Sequence, residues 1–514
     1  MRPSRYAVEE FNVPTPPEVY NYRVYVLAAL SSFGAFIFGY DLAFIGTTLA
    51  LPSFQKSFHL PKNTDAFSAN IVSLLQAGCF FGSLIAGWMG DKIGRKLALM
   101  VAGVIFCVGS LMQTVSHGNV AVMFAGRAVG GLGVGSASML VPLYLAEVSP
   151  PAIRGRLVGI YEIGVQAGTC IGFWINYGVK LNMPESDAQW ITPFAIQLIP
   201  GGLLILGMLF LPDSPRWYAR FRGREAAVNV LAKLRNLPVD HPYIQEEMYR
   251  VIDQIEHERE ATPGKGLVAE FKELSRKGNR NRIAIGVTLF IFMQMAGSNA
   301  INFYSPRIFK SIGLKGSNTG LYATGIYGLV RFVAVCIAIF FVVDRFGRTK
   351  MLIYGSALMA ACMWYIGAYV TVNGETTTKH ISAGGYAACT LIYVYAIGFC
   401  FSWAGVPWIY CSEIFPLRIR GICVAICTAT HWLMNFVIAR SVPYMISNIG
   451  GGTYFVFASF LTAAVFFVYF FVPETKGLNM ESMDQLFGVP GAGTHSFPHV
   501  DEEKAQAETV ETAK

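Results

Sequence analysis

The chain is predicted to be an all-α membrane protein, with twelve transmembrane helices in two six-helix pseudo-repeats and a cytoplasmic helical insert between them. Three observations carry this. Of its 514 residues, 54% are hydrophobic and only 14% charged, which leaves more apolar surface than a water-soluble fold can hide. Apolar runs long enough to cross a hydrocarbon layer of about 30 Å, roughly 20 residues each, recur about twelve times. Charged motifs also repeat between the halves: "AEVSPPAIRG" (146–155) matches "SEIFPLRIRG" (412–421), and "GDKIGRK" (90–96) matches "VDRFGRT" (343–349).

In chain order, residues 1–22 form a polar tail with no charged, apolar and small-residue leader, so insertion by an internal signal anchor is expected, with a cytoplasmic N-terminus. A first bundle (23–211) contains runs at 24–46, 67–89, 97–115, 120–145, 157–178 and 191–211. Residues 212–281 are charged and helix-prone ("REAAVNVLAKLRNL"), which predicts a linker of short amphipathic helices. The second bundle (282–472) has runs at 282–303, 320–343, 350–371, 385–411, 421–443 and 451–472, and a polar tail (473–514) follows.

Lys92, Arg95, Lys96, Arg154, Arg156, Arg345, Arg348, Lys350, Arg418 and Arg420 flank loops on the linker's side. The positive-inside rule makes that side cytoplasmic, together with both termini. A multi-pass monomer of the plasma membrane is expected. The net charge of +8 is explained by these helix ends and does not call for a nucleic-acid partner. The ten cysteines form no CxxC pair and read as packing residues. No P-loop, metal-ligand cluster or nucleophile motif stands out, so neither an enzyme nor a bound cofactor or metal is expected.

The repeated motifs place Asp91, Arg95, Glu147 and Arg154 in the first half, and Asp344, Arg348, Glu413 and Arg420 in the second, at helix ends where opposite charges can meet. Pairing that forms and breaks would make a cytoplasmic gate between two bundle arrangements. The other reading is that these residues only set topology. The glycines of "GRAVGGLGVG" (126–135) suit close helix contact in lipid.

Ionisable residues inside spanning helices are costly and therefore candidates for function. Four stand out: Asp41, Arg127, Glu162 and Arg331. Asp41 and Arg127 each lie about 10 Å from the outer ends of their helices at ~1.5 Å per residue, so they can pair. Arg331 lies about 20 Å from the cytoplasmic end of its helix, beyond snorkelling range. Its guanidinium fork suits a carboxylate. Arg440, near an outer helix end, is expected to snorkel.

From about Tyr22 to Gly477 the motifs resemble the sugar porter family of the major facilitator superfamily. The set is "GYD" (39–41), "GDKIGRK", "GRAVGGLGVG", "PDSPRW" (212–217), "DRFGR" (344–348) and "PETKG" (473–477). The resemblance implies that Asp41 and Arg127 are the proton-coupling pair, where facilitative members tend to carry Asn for Asp; the other reading of the pair is a static salt bridge. It also implies a substrate site at Glu162, Gln166, Thr169, Gln294, Asn299, Arg331, Trp403, His431 and Asn435, with Trp408 beside Trp403. Sugar porters usually have Gln at the position of Glu162, a second Gln at Met293, and a small polar residue near Arg331. These departures are similar to the fungal branch that includes quinate permeases and sugar-acid carriers. The expected activity is proton-coupled import of a polyhydroxylated carboxylate by alternating access. The alternatives are a symporter or facilitator of neutral monosaccharides, in which Arg331 is a structural partner of Glu162 or another buried acid, and a non-transporting sensor. For His431, simple packing is an equal alternative.

Overall fold

The computed structural model describes residues 15–59, 65–150, 153–260, 274–275, 278–313, 317–342, 346–373, 382–415, 419–475 and 487. Twelve spans are long and apolar enough to cross a membrane: α1 (Pro17–Leu49), α2 (Asp65–Ile93), α3 (Arg95–Thr114), α4 (Val120–Val148), α5 (Leu157–Asn182), α6 (Asp187–Phe210), α7 (Asn279–Ser311), α8 (Asn318–Val342), α9 (Arg348–Asn373), α10 (Ala383–Cys411), α11 (Arg420–Ile449) and α12 (Gly452–Phe471). No strand occurs among the described residues. Helices satisfy their own backbone groups, which lipid cannot do.

Several spans are not continuous rods. α1 is a short 3-10 turn followed by Tyr22–Ser31 and Phe33–Leu49, and α6 divides into Asp187–Ile196 and Leu198–Phe210. α7 breaks at Gly297, whose φ of 92° is a conformation that favours glycine, so its second segment Ser298–Ser311 starts afresh midway along the span. α10 opens between Phe401 and Val406. Non-helical backbone at this depth is tolerated where it is buried in protein or lines a cavity.

Small residues decide how closely the helices approach. A Cβ on Gly135 of α4 would lie 2.1 Å from the Cys79 carbonyl oxygen of α2, and one on Gly39 of α1 would lie 1.8 Å from that of Val165 on α5. With little hydrophobic drive between helices in lipid, such backbone contact is what holds the bundle. Between the halves, α2 packs on α11, α5 on α8 and α1 on α7.

The linker carries helices Pro215–Phe221, Arg224–Arg235 and Pro242–Glu260. Its own small core, built on Leu231, Tyr243, Ile244 and Met248, also takes in Val19 from the start of the chain. Arg235 fastens it to the first bundle. Its guanidinium donates to Glu247 from Nε (2.9 Å) and Nη2 (2.6 Å), and from Nη1 to the Val148 carbonyl at the end of α4 (2.8 Å). Below, the side of the molecule bearing this linker is the linker face, and the opposite side is the far face.

Candidate functional site

The two charges expected to meet do meet. Arg127 of α4 donates through Nη1 to Asp41 of α1 and through Nε to the Ile71 carbonyl of α2 (2.9 Å), with both charged side chains fully buried. Asp41 Oδ2 and Arg127 Nη2 have no hydrogen-bond partner. The pair is thus enclosed but incompletely satisfied, a costly arrangement unless the charges stay together. Its neighbours on α1, Phe38 and Leu42, line a central cavity, so the pair stands one helix wall behind it.

That cavity lies between the halves, with walls from α1, α5, α7, α8, α10 and α11, a setting in which transporters of two repeats handle their substrates. Its lining includes Glu162 and Gln166 of α5, Gln294 and Asn299 of α7, Arg331 of α8, Phe399 and Trp408 of α10, and His431 of α11. The break in α7 places Gln294 at the end of one segment and Ser298, Asn299 and Asn302 at the start of the next.

A continuous polar chain runs along this wall. Gln294 Nε2 lies 2.9 Å from His431 Nδ1, and its Oε1 accepts from Asn299 (2.9 Å). Asn302 donates to Asn299 (3.2 Å) and accepts from Arg331 Nη1 (3.3 Å). Arg331 Nη1 also donates to Ser298 (2.6 Å) and the Tyr327 hydroxyl (3.0 Å), while Nε donates to Gln166 Oε1 (2.9 Å). The Gln166 amide then donates to Glu162 (2.7 Å). Gln166 therefore stands between the two charges, and the direct Arg331–Glu162 partnership expected of a purely structural arginine is not formed. Among the described residues Arg331 makes no salt bridge, and its Nη2 makes none of these hydrogen bonds. Neutral acceptors hold the guanidinium at Nε and Nη1, and among the described residues no carboxylate is paired with this cation on the cavity wall.

The remaining candidates lie elsewhere. Thr169 turns away from the cavity to the carbonyls of Gly39 (3.1 Å) and Val165 (3.0 Å), tying α5 to α1. Trp403 is packed inside the broken part of α10, its indole donating to Ser356 (2.8 Å). Trp408, one turn into the next segment, reaches the wall instead. Asn435 is fully buried one helical turn beyond His431, and its amide has no hydrogen-bond partner. Sequence reasoning missed Ser298, Asn302 and Tyr327, which orient Arg331. Their i, i+4 spacings, Ser298 to Asn302 on α7 and Tyr327 to Arg331 on α8, were readable, but which helix faces which was not.

At the linker face each half repeats one arrangement. Arg95 pairs with Glu147 (3.0 Å) and Asp91 (3.0 Å), and Arg348 pairs with Glu413 (2.9 Å). Asp213 of "PDSPRW" accepts the backbone N–H of Arg95 (2.9 Å), as Glu474 of "PETKG" accepts that of Arg348 (2.9 Å). Each carboxylate caps a helix N-terminus, where the helix dipole favours it. Arg420 donates to the Phe415 carbonyl from Nη2 (3.2 Å). Asp344 and the Arg154 side chain lie outside the described residues.

These linker-face pairs lie within one half. The described ion pair that joins the halves is at the far face: Arg307 of α7 donates to Asp65 of α2 (2.8 Å) and to Ser447 of α11 (2.6 Å), and Ser447 donates to Asp65. Arg440 does not simply snorkel, since its guanidinium donates to Asn70 of α2. Replacing Asp65→Asn is expected to weaken this closure by ~1 kcal/mol, a shift of roughly fivefold toward far-face opening. The check is the rate at which an impermeant thiol reagent labels a Leu42→Cys protein from the far side. An unchanged rate over the parent would show that the contact does not hold the halves.

Residues 27–487 match the family described as "Sugar (and other) transporter". A quinate permease of Emericella nidulans is 45% identical over 483 residues, covering 92% of this chain and 90% of that protein. One of Neurospora terricola is 44% identical over 488 residues, covering 93% and 91%. Among solved structures, the proton:xylose symporter XylE bound to 6-bromo-6-deoxy-D-glucose superposes with a TM-score of 0.76 at 28% identity, covering 90% of this chain and 99% of that one. The inward open conformation of XylE from E. coli gives 0.72 at 27%, with coverage of 90% and 99%.

Proposed function

The chain belongs to the sugar (and other) transporter family, and on that premise we propose that it imports quinate, or a closely related polyhydroxylated monocarboxylate, together with protons by alternating access. The observation that carries the substrate is Arg331. A buried guanidinium held by four neutral acceptors and facing a cavity between two repeats is a ready anion site. Beside it Gln294 and Asn299 offer amides to hydroxyl groups, and Phe399 and Trp408 offer faces to C–H surfaces. The names of the relatives, quinate permeases at 44–45% identity over most of the chain, support the same reading.

In this mechanism the far face is external and the linker face cytoplasmic, at the plasma membrane. Substrate enters when the Asp65–Arg307–Ser447 contact opens. A proton reaching Asp41 neutralises it and loosens its hold on Arg127, which frees α1 against α2 and α4. The halves then rock about the bound substrate, and the pairs Arg95–Glu147 and Arg348–Glu413 stiffen each half while it moves. Small-molecule binding, not catalysis, is what the site performs.

Counter-flow with labelled quinate, galacturonate and glucose in a transporter-deficient host tests this. Quinate is expected to exchange at least tenfold faster than glucose. Exchange of neutral sugars alone would overturn the anion reading. It would instead favour a neutral-sugar carrier, in which the four hydrogen bonds to Arg331 serve only to fix the bundle.

A further inference from the structure

Glu162 is the part of the cavity that anion recognition by Arg331 leaves unexplained. A carboxylate on the wall of a site for carboxylates should repel its own ligand, yet Glu162 lines the same cavity as Arg331 and shares Gln166 with it. The amide is fixed in direction, with its oxygen on the guanidinium and its N–H on the carboxylate. Glu162 is half-buried and forms no salt bridge among the described residues. The wall therefore carries one positive and one negative group separated by a single amide, and the empty cavity is neutral overall.

A substrate anion seated on Arg331 changes this balance. The cavity then holds one cation and two carboxylates in a region largely withdrawn from water, where excess charge is least tolerated. The groups facing Glu162 offer no second cation. Arg331 approaches from α8, Cys400 from α10 and Tyr161 from its own helix, while His431 stands across the cavity on α11 and Asp41 is already paired with Arg127 behind α1. The charge can be restored by a proton on Glu162.

We propose that Glu162 is a substrate-loaded proton site: seating a monocarboxylate anion on Arg331 draws one proton onto the Glu162 carboxylate, and the proton and substrate leave the cavity together. The proton comes from the external solution through the open far face, converts the carboxylate to a carboxylic acid whose O–H is offered to a substrate hydroxyl, and is released to solution on the linker side as the anion departs. This site is separate from Asp41, so the chain has two proton positions, one in the wall of the bundle and one in the cavity. The proposal rests on the anion reading of the cavity given above.

The test is calorimetric binding of quinate and of its neutral methyl ester to the purified full chain, in two buffers of different ionisation heat, which counts the protons taken up. Quinate is expected to take up one proton more than the ester. Glu162→Gln should remove that extra proton and Glu162→Asp should restore it; the parent's quinate affinity should rise about tenfold per unit fall in pH, and Glu162→Gln should lose that dependence. Glutamine keeps the shape and an acceptor for Gln166. If the variant nevertheless unfolds, the quinate-minus-ester comparison on the unaltered protein still decides. Equal proton counts for quinate and ester, or for Glu162→Gln and its parent, would overturn the proton role while leaving the anion site intact. Failure of quinate to bind while neutral sugars do would overturn both.

Discussion

Arg331→Gln is expected to reduce quinate uptake by on the order of 100-fold with the protein still present in the membrane. The magnitude follows from what is removed. Truncating one partner of a buried, hydrogen-bonded charge pair costs roughly 2–5 kcal/mol, and ~3 kcal/mol is about two powers of ten in affinity. The fold should survive because the partners of Arg331 are a hydroxyl, a phenol and two amides, groups a glutamine can partly satisfy. Arg331→Lys should recover only part of the loss, since an ammonium keeps the charge but lacks the planar fork. The measurement is the initial rate of labelled quinate uptake, normalised to protein in the membrane fraction. Uptake that stays within a fewfold of the parent would remove the anion site from the mechanism.

Asp41→Asn should separate movement of substrate from its accumulation. Asparagine keeps the size of the side chain but can neither hold a proton nor pair ionically with Arg127. Counter-flow of labelled quinate is expected to continue, whereas concentrative uptake should fall at least tenfold and keep only the weaker proton dependence carried at Glu162. The sign follows from the direction of loading: acid outside favours a neutral Asp41, so the parent accumulates better as external pH falls and the variant should respond less steeply. Leaving Arg127 buried and unpaired carries a stability cost of about 3–5 kcal/mol. For that reason Asp41→Asn with Arg127→Gln is the companion to test. Accumulation undiminished from the parent in both variants would place the coupling elsewhere, with Glu162 the next position to examine.

The Asp41–Arg127 contact was legible because depth is one-dimensional: counting residues from a helix end at a fixed rise places both charges in the same layer. The repeat was legible because its motifs are copied in sequence, and Arg95–Glu147 and Arg348–Glu413 occupy equivalent positions. Rotation about a helix axis is harder to read. Thr169 bonds the Gly39 carbonyl of a neighbouring helix, and Asn435 is buried outside the cavity lining. Trp403 was assigned by motif, and the break in α10 turned it into packing while bringing Trp408 to the cavity. The far-face closure by Asp65, Arg307 and Ser447 joins residues more than two hundred positions apart, and nothing local in the chain marks them as partners.

The sequence by itself determined the membrane class, the two six-helix halves, the helical insert between them and the shared layer of Asp41 and Arg127. Length, hydropathy and charge at helix ends act along the chain and need no knowledge of neighbours. Only the tertiary structure decided what those charges do. It put Gln166 between Glu162 and Arg331, gave Arg331 four neutral partners and no carboxylate, and joined the halves at the face away from the linker. Those outcomes depend on helix rotation and on backbone breaks, which are set where one helix meets another.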